Sequence, residues 1–149
     1  MKLGRKTLSF FLTFLFTASL LVSTGAQAQT ETYRARLSPM PTTPITVSTI
    51  TGEGEVILTL NGNTLSVQGS FKGMNSSATM AHIHNGPPAQ PGPVVHTLDV
   101  TLLPTGELTA ELELSDEQVT ALRNNELYIQ IHSETNPPGE LRGWIFARK

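Results

Sequence analysis

Three of the four histidines in this chain fall in two short stretches. The first is Met80-Ala81-His82-Ile83-His84-Asn85-Gly86. The second is Tyr128-Ile129-Gln130-Ile131-His132, which runs on to Asn136-Pro137-Pro138-Gly139-Glu140-Leu141-Arg142-Gly143. Both begin as strands by residue type. Side chains at i and i+2 of a strand share a face. His82 and His84 therefore share one face, with Ile83 on the other. Ile129 and Ile131 share a face, and Tyr128, Gln130 and His132 share the opposite one. If the two strands lie close in one sheet, three imidazoles converge on one polar patch. Neutral imidazole is a good ligand for Cu(II), Zn(II) and Ni(II). Three of them make a nitrogen site with an open position, for copper or zinc. The same histidines can instead serve the fold, by hydrogen-bonding to Glu140, Asn136 or loop carbonyls and fixing two loops. Asn85, Gly86, Asn136, Gly139, Glu140 and Arg142 surround the patch as structural residues. His96, the fourth histidine, alternates with Val94, Leu98 and Val100, which turns it inward and away from the patch.

The rest of the chain supplies the elements that position these residues. Lys2, Arg5 and Lys6 precede a charge-free apolar run, Thr7 to Val22, and Ala26-Gln27-Ala28 is a small-x-small cleavage site. This pattern predicts a signal peptide over residues 1–28, removed after Ala28, and one domain over residues 29–149. The apolar run is shorter than the ~20 residues that span a bilayer, so no membrane span is expected after cleavage. The expected location is secreted or periplasmic. Without Lys2, Arg5 and Lys6, 7 basic residues face 12 acidic ones. Nucleic acid is disfavoured, because phosphate binding needs clustered Lys and Arg. Cysteine is absent, so neither disulfides nor zinc–thiolate sites are available.

Alternation continues along the expected domain. Tyr33 to Leu37 reads as a first strand, and Pro39, Pro41 and Pro44 mark a loop. Gly54 to Phe71 reads as a hairpin about Asn61-Gly62-Asn63. Val94 to Thr101 is another strand. Leu108 to Leu114 follows, with Glu107, Glu111 and Glu113 on a solvated face. Ser115-Asp116-Glu117-Gln118 is a capping box opening a short helix near residues 116–124. Leu127 to His132 and Leu141 to Arg148 are the last strands. Leu58, Leu60, Val67, Phe71, Leu112, Ile129 and Ile131 are the expected core. Short strands at regular spacing with one helix predict an all-β antiparallel Greek-key sandwich or barrel.

From Gly54 onward the order of motifs resembles the CHRD domain, a module first named in chordin. The matching pieces are Gly54 to Leu60, Ala81-His82-Ile83-His84-Asn85-Gly86, Gly92-Pro93-Val94-Val95, and Leu114 to Gln118. They continue with Leu127 to His132 and Asn136 to Gly143. The resemblance implies a single extracytoplasmic β domain and brings no settled activity. The family usually has Gly where this chain has Pro138. A proline cannot copy a positive φ there. A fainter similarity, through His82, His84 and His132, is to the copper strands of Cu/Zn superoxide dismutase, another Greek-key barrel. That enzyme also needs a bridging histidine and a zinc site; His96 follows His84 at a suitable distance, but its alternation turns it inward, and no further histidine is available for a zinc site.

No nucleophile elbow, Gly-rich phosphate loop or convincing acid pair occurs. Asp116 and Glu117 already belong to a helix start. The chain is therefore expected to act as a non-catalytic binding or structural module for an extracytoplasmic ligand or protein. The alternative is a copper- or zinc-binding protein, with redox activity as its enzymatic extension; the histidine cluster is the positive sign of such chemistry.

Overall fold

The computed structural model describes residues 29–148. The expected signal segment and its cleavage site lie outside the described residues. Eight strands close into an antiparallel barrel in the order β1-β2-β3-β6-β5-β4-β7-β8, with β8 returning to β1. They are β1 (Glu31–Pro39), β2 (Glu53–Asn61), β3 (Thr64–Lys72), β4 (Ala78–Asn85), β5 (Val94–Val100), β6 (Gly106–Glu113), β7 (Leu127–Ser133) and β8 (Leu141–Ala147). One helix, α1 (Asp116–Arg123), links β6 to β7. The expected fold class is the observed one.

Period-2 alternation fills the interior. Tyr33, Ala35 and Leu37 on β1, and Val56, Leu58 and Leu60 on β2, are buried. Leu65, Val67 and Phe71 on β3, Ala81 and Ile83 on β4, and Ile129 and Ile131 on β7 join them. Burying such side chains is the main favourable contribution to folding, roughly 1.5–3 kcal/mol each. The β2–β3 hairpin pairs Asn61 with Thr64, so Gly62 and Asn63 form the turn, and Gly62 takes φ 62°.

Two interior expectations are corrected. Leu112 is only partly buried and packs against the edge of the core, while Leu108 and Leu114 are buried fully. Leu112 pairs with Leu65 on β3 but lies beyond the short β5–β6 ladder, which reaches only Leu108 and Thr109, so β6 has no strand partner on its other side there. Val94 is 50% exposed rather than inward. The β4–β5 register shifts between Ile83 and His84, so that Ile83 opposes His96 while His84 opposes Val94. The extra residue, Val95, breaks the alternation. His96 keeps its place opposite inward Ile83, and its Nε2 lies 3.0 Å from Gln118 Oε1.

Helix α1 starts as expected. Ser115 Oγ accepts from Gln118 N at 3.3 Å, and Gln118 Oε1 accepts from Ser115 N at 3.0 Å. Val119, Ala121 and Leu122 turn into the protein. Asn124 caps the C-terminal end, and Asn125 leaves with φ 61°. The helix braces the turn into β7, where Gly86 N donates to Glu126 O at 2.7 Å.

Candidate functional site

The histidines stand on the outside of the barrel. Strands β4 and β7 are direct neighbours, pairing Met80 with His132, His82 with Gln130 and His84 with Tyr128. Strand β8 continues the row, pairing Gln130 with Arg142 and Tyr128 with Trp144. Because Ala81, Ile83, Ile129 and Ile131 point inward, these partners all lie on the outer face. That face is nonetheless sheltered: His84, Tyr128 and Gln130 are buried.

Two loops provide the shelter. The loop after β4 folds back so that Gly92 O lies 2.9 Å from His84 Nδ1, and Gly92 N donates to the Tyr128 hydroxyl at 3.1 Å. Trp144 Nε1 donates to Gly86 O at 3.0 Å, pinning the same loop from β8. A Cβ on Gly92 would sit 1.7 Å from Asn85 O, so only glycine allows this close approach. The loop before β8 covers the other end. Gln130 Nε2 donates to Pro138 O at 2.8 Å, and Pro137 O lies 2.7 Å from His132 Nδ1. Its turn closes through Gly139 N donating to Asn136 O at 2.9 Å. The positive φ, 133°, falls on Gly139, so Pro138 needs no left-handed backbone.

Glu140 holds that second loop from below. Its carboxylate is fully buried and accepts from Ser133 Oγ at 2.5 Å and Asn136 Nδ2 at 3.1 Å. The backbone amides of Asn75 and Thr51 donate to its other oxygen at 2.7 and 3.3 Å. Asn136 also donates through Nδ2 to Thr49 O at 2.7 Å. The connections around Thr51 and Asn75 thus meet the Ser133–Glu140 loop on one carboxylate. Glu140 and Asn136 do not touch the imidazoles; the loop carbonyls do.

The three imidazoles converge. One nitrogen of each of His82, His84 and His132 lies within 4.8 Å of the other two. His82 Nδ1 is 3.2 Å from His132 Nε2. A carbonyl oxygen can only accept, so Gly92 O and Pro137 O place the protons of His84 and His132 on Nδ1. Each neutral ring then carries its lone pair on Nε2. His84 Nε2 is buried and has no hydrogen-bond partner. A buried polar atom left unpaired costs about 1–3 kcal/mol. Burial first, then the charges of His132 and His84, hold His82 below its ordinary 6.5. Burial does the same for His84, opposed by the Gly92 carbonyl and reinforced by His132 and Arg142. Both shifts favour the neutral, ligating form.

Aromatic and cationic side chains flank the cluster. The Tyr128 ring stacks on His84 at 4.7 Å between centroids and 8° between planes. Arg142 donates through Nε and Nη2 to Gln130 Oε1 at 2.9 and 2.7 Å, and its guanidinium lies 5.0 Å from the Tyr128 centroid. Sequence reasoning put Tyr128 and Gln130 on the histidine face but gave them no role. Trp144 follows from alternation on β8, whereas Gly92 enters the sequence reading only within the Gly92-Pro93-Val94-Val95 motif, which gives it no role at the patch. Among the described residues no helix is long and apolar enough to cross a membrane. Nothing in the chain suggests a nucleic-acid partner.

A family model described as CHRD domain matches residues 33–145, which include every strand of the barrel in whole or part. No curated protein matches the chain, and no solved structure does.

Proposed function

The chain belongs to the CHRD domain family, and from that premise we propose that it is an exported, non-catalytic binding module that holds one copper or zinc ion on His82, His84 and His132. Residues 1–28 act as the cleaved signal and residues 29–149 as the single domain, secreted or periplasmic. The basic n-region, the apolar run and Ala26-Gln27-Ala28 support this.

One observation carries the metal reading. The lone pair of His84 Nε2 is buried without a partner, beside nitrogens of two other imidazoles. The donor set suits Cu(II) or Zn(II). His84 and His132 would bind through Nε2, each with its Nδ1–H on a loop carbonyl, the outer contact that orients metal-bound histidine. His82 would bind through Nδ1 with its proton moved to Nε2. The fourth position would face the exterior. The carbonyl contacts also anchor the two loops, so the structural and metal roles use different nitrogens of the same rings.

Thermal unfolding of protein purified without a histidine tag tests this. At pH 7, Cu(II) or Zn(II) at about a hundred times Kd should stabilise the domain by about 2.7 kcal/mol. His132→Ala should remove most of the gain and His96→Ala should leave it intact. The gain should fade toward pH 5 as the ligands protonate. Melting indifferent to both metals would leave the histidines as loop anchors alone.

A further inference from the structure

Beside the three imidazoles stands a methionine that lies outside the hydrophobic core. Met80 is 46% exposed. It occupies the same outer face of β4 as His82 and His84, at i, i+2 and i+4. It also stands directly opposite His132 on β7. Side chains so paired have Cβ atoms about 4.5–5.5 Å apart. His132 thus neighbours Met80 across the ladder and His82 by ring contact, with centroids 5.1 Å apart. The β4–β7 register is irregular between Ala78 and Met80, and Thr79 and Met80 are both exposed. Such irregularities re-aim a side chain, often beside a site.

The other polar groups around the cluster are engaged. Gln130 is held by Arg142 and Pro138 O. The Tyr128 hydroxyl is held by Gly92, and the Glu140 carboxylate by four donors. Met80 has three rotatable bonds and a polarizable sulfur, and it is left 46% exposed. Thioether sulfur is a soft ligand that suits Cu(I) far better than Zn(II).

We propose that Met80 supplies the fourth ligand, making the site a three-nitrogen, one-thioether centre that prefers a soft monovalent ion, Cu(I), over Zn(II). This rests on the metal reading above. It assigns the exposed methionine a chemical role and turns a choice between copper and zinc into a preference for copper.

The test compares the mature chain with its Met80→Leu variant, which keeps the volume of an exposed side chain. Cu(I) affinity is measured anaerobically by competition with bicinchoninate, Ag(I) by direct titration as a redox-silent probe, and Zn(II) by competition with a chromophoric chelator. Met80→Leu should weaken Cu(I) and Ag(I) by about tenfold or more, about 1.4 kcal/mol or above, and leave Zn(II) within about threefold. Methyl-labelled NMR gives a second readout: Ag(I) should move the Met80 ε-methyl. It should leave that of Met74, which is 5% exposed in the core. Equal affinities for every ion in both chains, an equal fall for all three, or a still Met80 methyl overturns the proposal. If Zn(II) binding nevertheless depends on His132, the metal reading survives alone. No binding of any ion to the unaltered chain overturns both.

Discussion

Glu140→Gln should destabilise the domain more than its conservative chemistry suggests. The carboxylate is fully buried and receives four donors, two on each oxygen. Glutamine is nearly isosteric but keeps only one acceptor oxygen. Whichever way the amide turns, its NH2 meets two donors. Turned toward the backbone, it opposes the amides of Thr51 and Asn75, which cannot change role. Turned the other way, it opposes Ser133, whose hydroxyl can rotate to accept, and Asn136. Asn136 cannot flip without losing Nδ2 to Thr49 O at 2.7 Å. The second orientation is therefore the better, and it loses one donor outright and weakens the rest by removing the charge. A hydrogen bond to a charged group contributes about 1.5–3 kcal/mol, so the loss should be on the order of 3 kcal/mol. Urea unfolding followed by Trp144 fluorescence, fitted with a shared m-value, measures it. A loss under about 0.5 kcal/mol would mean that the carboxylate is not the hub of these loops.

Two further outcomes follow from burial. In the metal-free chain, His82 and His84 titrate below 6.5 when folded and near ~6.5 when unfolded. The unfolded chain then binds more protons just below that value, so stability should be level above about pH 6.5 and fall as the pH drops through it. Glu31, held low by Arg123, acts with the same sign only below its ordinary 4.5. Urea midpoints equal at pH 7.5 and 5.5, or higher at 5.5, would contradict the direction. Leu58→Ala should cost about 2–5 kcal/mol, and partly buried Leu112→Ala about half as much, by the same titration; equal losses would contradict the burial difference.

Alternation made most of the barrel legible beforehand. On β2, β3, β4 and β7 every second side chain is apolar, so inside and outside follow from residue type. The capping box marked the helix because Ser115 and Gln118 act within four residues. The convergence of the histidines needed one more fact, that β4 and β7 are neighbours, and strand order is a long-range property that no local pattern encodes. Val94 shows the limit on a single strand: one inserted residue reverses its face, and nothing in Val94-Val95-His96 announces it. Leu112 shows another, since alternation assigns a face but not where a neighbouring strand stops pairing, as β5 does before Leu112. Glu140 reads as a turn residue because two of its four donors, the amides of Thr51 and Asn75, come from segments far away in sequence.

The closing seam of the barrel has a consequence for how the chain folds. Strand β1 pairs with β8 as well as β2, setting Tyr33 beside Ala147. Until β8 is available, β1 and β7 each present an open edge, the kind of surface that recruits other chains. Joining segments so distant in sequence is slow, because loop-closure entropy is lost before the contact is gained. The outer-face histidines depend on this step too, since Pro137 and Gly139 lead directly into β8. Assembly of the patch is therefore a late event, tied to the same closure that removes the last free edges.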